Sequence, residues 1–163
     1  ADVLSSMELL GKELGVSEGG KTLREAVEKD LKPTPFAKVE GRPKAILVIS
    51  QDPLMVAGPS TFVGELMTLA GLENAVKEGA MPYPTWTREN LIEANPDWII
   101  EATMGGGGPN TAKPWDSLKS VSAVKNQHVR SINPDWVLRP GPRMAKGVKA
   151  LREAIRPQKK EGR

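Results

Sequence analysis

Cysteine is absent from the 163 residues, and histidine occurs once, at His128. Disulfides and thiolate metal sites are therefore excluded, as is a site built from several imidazoles. Aromatic residues make up only 4% of the chain, leaving few platforms for base stacking. A formal net charge of +3 is too mild to mark a nucleic-acid surface, so no nucleic-acid partner is expected. No apolar run approaches the roughly 18 residues of a membrane-crossing helix. No leader pattern is visible, and the chain opens on Ala1 rather than Met, as a processed product or a piece of a longer chain would. What remains is an ordinary globular mixture, 39% hydrophobic and 26% charged, long enough for one domain with its own core.

The apolar pattern alternates between two periods. "ADVLSSMELLGKELG" places Val3, Leu4, Met7, Leu10 and Leu14 at helical spacing, with Gly15 as a stop. "SEGGKTLREAVEKDLK" resumes the helical pattern until Pro33 and Pro35 interrupt it. "RPKAILVIS", 42 to 50, is short, continuous and β-branched, and reads as a buried parallel strand. "QDPLMVAGPS" reads as a loop. Ser60 or Thr61 then caps a helix whose apolar face is Phe62, Leu66, Leu69 and Ala70, closed by Gly71. "AMPYPTW" is too proline-rich for a regular element. Thr87 caps the next helix, with Asn90 where a full capping box has Glu. "PDWIIEAT" and "QHVRSIN" read as strands and "SLKSVSAVKN" as a weaker helix between them. "PDWVLRPGPR" reads as a loop, "RMAKGVKALREAI" as a last amphipathic helix, and "RPQKKEGR" as a charged tail. Strands alternating with helices predict an α/β fold, a small mostly parallel sheet covered on both faces. Ligands bind such sheets at the carboxyl ends of the strands, where three loops fall: 51–59, 104–116 and 134–142.

"EATMGGGGPN" puts four adjacent glycines in the second of these loops. A phosphate-binding P-loop needs Lys and Ser or Thr after its last glycine, and here Pro109 and Asn110 follow. A dinucleotide fingerprint needs spaced glycines opening into a helix. Gly105 and Gly106 therefore suit a pliable surface loop, or one that lets a bulky ligand approach backbone, better than a phosphate cradle. A small nucleotide-binding domain or enzyme using 105–108 is the alternative. In the third loop Asp135, Trp136 and Arg139 lie within five residues, stiffened by Pro134, Pro140 and Pro142. That set suits a large polar ligand, or else an ion pair that ties its own loop. Tyr83 and Trp86 form an apolar wall or local packing. Glu89 complements the dipole of its helix. Asp52, Glu101, Asp116 and Asp135 all fall near the loop edge, but no spacing makes any two an acid–base pair, and no catalytic set is expected.

With these segments in order, the chain resembles the carboxyl-terminal half of a class III substrate-binding protein of an ABC importer, the type that serves cobalamin, haem and ferric siderophore uptake. "RPKAILVIS" resembles the first strand of the second lobe. "GPSTFVGELMTLAGLENAV" resembles the following helix, whose usual "GG-x-N" ending is here "GLEN". "YPTWTRENLIEANPDWIIEAT" and "INPDWVLRPGPRMAKGVKALREAI" resemble the later strand, loop and helix segments. The resemblance implies a Rossmann-like three-layer α/β/α lobe over 42–156. It also implies the end of a long interlobe helix over 1–41, a tail at 157–163, and an amino-terminal lobe that this sequence does not contain.

Residue by residue, the resemblance makes Met55, Tyr83, Asp135 and Arg139 walls of the ligand site and Glu89 the carboxylate that docks on the permease. It implies binding without turnover, no cofactor beyond the transported chelate, and a location in the periplasm or on a lipid-anchored outer surface.

Overall fold

In the computed structural model, residues 2–32, 41–103 and 115–156 are described. Helices α1 (Asp2–Glu13) and α2 (Ser17–Asp30) form a hairpin turned at Gly15, whose φ of +70° needs no strain in glycine. The amino-terminal region is thus two packed helices rather than one long one within these residues.

Strand β1 (Lys44–Gln51) is buried from Ala45 to Val48, as a strand covered on both faces must be. It pairs in parallel with β3 (Glu73–Asn74) and β4 (Trp98–Glu101), and β4 pairs in parallel with β5 (Val129–Ser131). Strand β2 (Leu54–Val56) departs from expectation. The 51–59 segment, read as a loop, turns at Asp52–Pro53 and folds back antiparallel on β1, giving the order β2-β1-β4-β5. Its "LMV" run is too short to stand out by period, and only pairing with β1 makes it a strand. The proline-rich stretch then lies beside β2: Val56 N–H donates to Pro84 O, Gly58 N–H to Pro82 O, and Trp86 N–H to Leu54 O. Prolines offer carbonyls but no N–H, so they serve here as acceptors on an edge.

Helix α3 (Phe62–Ala70) starts at Thr61, whose hydroxyl accepts from Gly64 N–H, and ends at Gly71 in the left-handed region. Its buried side is Val63, Leu66, Met67 and Ala70, with Phe62 and Leu69 half-buried, a face rotated slightly from the one the apolar spacing predicts. Helix α4 (Arg88–Ala94) has a complete reciprocal cap, because the Asn90 side chain does what Glu usually does. Helix α5 (Ser122–Lys125) is shorter than its sequence pattern.

The 134–142 segment is the second correction. Pro134–Val137 forms helix α6, with Asn133 accepting from Asp135 N–H and Pro134 opening the first turn. Proline fits that position because its missing N–H would have no helical partner. Helix α7 (Met144–Ala154) closes the fold.

Two apolar clusters flank the sheet. Ala45, Leu47, Trp98 and Ile100 pack with α3, α6 and α7, joined by Met7, Val27 and Leu31 of the hairpin region. Ile46, Val48 and Ile99 pack with Leu91 of α4, Ala123 of α5, and Trp115, Leu118 and Val121. Helices on both faces of a mostly parallel sheet make the expected three-layer α/β/α lobe.

Candidate functional site

The parallel strands end together at Gln51, Glu101 and Ser131, so the chain leaving each one meets at a single edge. Helix α4 begins at this edge and descends, since β4 restarts at the opposite end beside Ala45.

Met55 lies on β2, half-buried, and bridges antiparallel to Thr85. Bridge partners share one side, so Thr85 lies on the Met55 side and Trp86, next along, takes the other, while Tyr83 stands in the bend just before the bridge. Tyr83 is exposed. Trp86 packs with Leu54 against the second cluster and lines a groove with Arg42, Glu73 and Lys77, so it is placed as a packing residue. Asp135 and Arg139 form an ion pair of 3.0 Å one turn apart. Arg139 is exposed and Asp135 half-buried, so the pair contributes at most about 1 kcal/mol to stability. Trp136 is half-buried, and its carbonyl lies 2.4 Å from where a Cβ on Gly147 would stand, so α6 sits directly on α7. Gly105 and Gly106 lie outside the described residues.

These residues form two groups rather than one. Met55 and Tyr83 belong to the β2 side of the sheet and Asp135 and Arg139 to the β5 side. Three strand spacings separate β2 from β5, roughly 14 Å.

Glu89 stands in the first turn of α4, exposed, at the rim of the same edge. A hydrogen bond with Thr87 and one from its own backbone N–H hold its carboxyl below the ordinary glutamate value. His128 is far from this edge. It stacks on Trp98 at 4.0 Å with the ring planes nearly parallel, at the amino end of β5, with Arg130 over the same indole. Among the described residues no cluster of His, Asp and Glu could hold a metal ion.

Among the four edge acids, Glu101 differs from expectation. Its relative exposure is 0%, whereas Asp52 and Asp116 are exposed and Asp135 is half-buried. Its Oε1 accepts from Trp115 Nε1 at 2.9 Å and from the Gln51 amide, while Oε2 has no partner among the described residues. The sequence places Glu101 with three other acids near the loop edge and gives no reason to single out Gln51 or Trp115. The available signal was an acid closing the otherwise apolar run "WII".

Residues 1–136 match the family model described as periplasmic binding protein. An uncharacterised ABC transporter substrate-binding lipoprotein, YvrC of Bacillus subtilis (strain 168), is 29% identical over 163 residues, covering 96% of this chain and 51% of the relative. The vitamin B12-binding protein of Salmonella typhi is 26% identical over 136 residues, covering 81% of this chain and 49% of that protein. Among solved structures, a possible iron-binding (periplasmic solute-binding) protein from Staphylococcus epidermidis superposes with a TM-score of 0.80 at 21% identity, covering 94% of this chain and 61% of that one. The chain therefore spans about half the length of the curated relatives it matches. With the three-layer lobe, its mostly parallel sheet and this match, the chain belongs to the periplasmic binding protein family, and its likeness is to class III members.

Proposed function

We propose that this chain is the carboxyl-terminal lobe of the substrate-binding component of an ABC importer, and that it takes a corrinoid or iron chelate at the carboxyl edge of its sheet. The observation that carries this reading is the spacing of the edge. Met55 and Tyr83 stand on one side and Asp135 and Arg139 on the other, roughly 14 Å apart by strand count. A small metabolite cannot touch both groups, whereas a macrocycle or chelate of that breadth can. An apolar side facing a charged side also suits a ligand with a flat hydrocarbon body and carboxylate or amide arms. The names of the relatives, vitamin B12-binding and possible iron-binding, support the same ligand class.

The remaining parts of the reading follow from it. The exposed hydrophobic residues Leu9, Leu10, Leu14 and Val16 supply a surface that the other lobe of a two-lobed receptor would cover. Glu89, ionised at neutral pH on the rim, is the residue assigned to docking on arginines of the permease, where it would orient the encounter more than tighten it. The importer reading places the chain outside the cytoplasmic membrane, in the periplasm or tethered to an outer surface, and assigns it no turnover.

The test is equilibrium dialysis of this chain against cyanocobalamin, haemin and ferrichrome, with ATP as control. Saturable binding of one coloured ligand, weakened by Arg139→Ala and unaffected by Glu89→Ala, is the expected result. Binding of ATP alone would replace this reading with the nucleotide alternative. If no coloured ligand bound to this chain or to a two-lobed protein containing it, the chelate assignment would be wrong.

A further inference from the structure

The carboxyl group of Glu101 is the one fully buried acid among the described residues, and it sits at the carboxyl end of the central strand β4. Its two donors come from different stretches of chain. Gln51 is the last residue of β1, immediately before the turn that leads into β2 and Met55. Trp115, itself buried, opens the segment that packs Leu118 and Val121 beneath the sheet. One carboxyl oxygen therefore joins three chain segments at the edge to which the ligand is assigned. Burying such a group is costly unless its hydrogen bonds are made, and here Oε2 is left without one among the described residues. An apolar side chain of similar size would fill the same space without that cost. The arrangement stabilises a particular placement of the two donors more than it stabilises the fold.

We propose that Glu101 is a positioning residue for the ligand edge: through Gln51 it sets the β1–β2 turn that carries Met55, and through Trp115 it fixes the chain that enters the second cluster. The role rests on the chelate reading only for its effect on affinity. The geometric part stands without any ligand.

The experiment compares Glu101→Leu, Glu101→Gln, Gln51→Ala and the unsubstituted chain by hydrogen exchange, with the Trp115 indole N–H assigned by its loss in Trp115→Phe. Cyanocobalamin and haemin binding are measured in parallel. In Glu101→Leu, exchange of the Trp115 indole N–H and of the Val56 and Trp86 amides should quicken on the order of tenfold, as expected for loss of a buried hydrogen bond. The Ala75 and Asp97 amides, at the opposite end of the sheet, should hold their rates. Glu101→Gln keeps a carbonyl acceptor and should restore most of the protection. Gln51→Ala, which leaves no apolar group in place of the acid, should quicken Val56 and Trp86 while sparing the indole. Equal acceleration at both ends of the sheet would mean that Glu101 is merely structural, and no acceleration at Val56 and Trp86 would mean that it positions nothing. If the unsubstituted chain binds neither probe but the exchange pattern appears, the positioning role survives and the chelate reading is decided separately, by the two-lobed protein. If binding is present and Glu101→Leu leaves its Kd unchanged, the edge does not depend on Glu101 and the proposal is overturned.

Discussion

The α1–α2 hairpin and the sheet lobe both carry many large aliphatic residues but bury them very differently. In the lobe, Ile46, Leu47, Val48, Ile99 and Ile100 are completely enclosed between two layers of helices. In the hairpin Met7, Val27 and Leu31 are buried in the core and Val3 and Leu4 are half-buried against it, while Leu10 is 59% and Leu14 73% exposed. The two helices also meet through their smallest residues. A Cβ on Gly20 would lie 2.8 Å from Met7 O and 3.0 Å from Gly11 Cα, so the backbones themselves are in contact. The hairpin thus packs backbone on backbone and leaves large apolar residues outside the core. The lobe is shaped around its own core. The lesson is that helical apolar periodicity reports a face to be covered, without saying whether the same chain covers it.

The comparison can be broken most strongly in the lobe. Gly147→Ala puts a methyl 2.4 Å from Trp136 O, a backbone atom that cannot swing away, so α6 and α7 must separate. We expect a loss of about 2–3 kcal/mol in urea unfolding and, on the proposed reading, weaker chelate binding because α6 carries Asp135, the ion-pair partner of Arg139. Next comes the junction of the two regions. Arg152 donates from Nη2 to Lys32 O, just past α2, at 2.8 Å and to Leu69 O in α3 at 3.0 Å. Arg152→Met keeps the apolar stem and removes both bonds, which should cost about 1–2 kcal/mol. Hydrogen exchange should quicken in α2 before it does in β1. If both change equally, the hairpin and lobe are one cooperative unit and the comparison loses its point.

In the hairpin itself, Leu10→Ser with Leu14→Ser should shift lobe stability by no more than about 0.5 kcal/mol. It should also abolish any concentration-dependent association seen by sedimentation. The smallest effect concerns Glu89, whose folded pKa is lowered first by Thr87 and then by its own backbone N–H. A lowered folded value means its contribution is fully present above the ordinary glutamate range and disappears as pH falls through the lowered one. A carboxyl-carbon titration should find Glu89 below the other exposed glutamates, and Thr87→Val should move it back toward them.

Much of the lobe was legible in the sequence because its signals are local. "AILVIS" could only be a covered strand, Thr61 and Thr87 cap the helices they precede, and Gly71 ends its helix in the left-handed region that glycine tolerates. Strand β2 and helix α6 were not legible. Each is three or four residues long, and each exists because of a partner: β1 for the first, Asn133 and α7 for the second. The candidate site was legible by address and not by arrangement. The Asp135–Arg139 ion pair is local and was one of the two readings of that loop, but the inward packing of Trp86 and the burial of Glu101 depend on what lies opposite.

The sequence by itself determined the alternation of strand and helix, the edge where loops gather, the absence of thiol and imidazole chemistry, and the family likeness. These follow from residue type and period along one stretch of chain. Only the tertiary structure decided that one carboxyl group gathers Gln51 and Trp115, and that the two halves of the edge stand three strands apart. The reason is physical: hydrogen-bond partners 50 and 14 residues distant in sequence, and strand order itself, are set by packing across the sheet and leave no period in the chain.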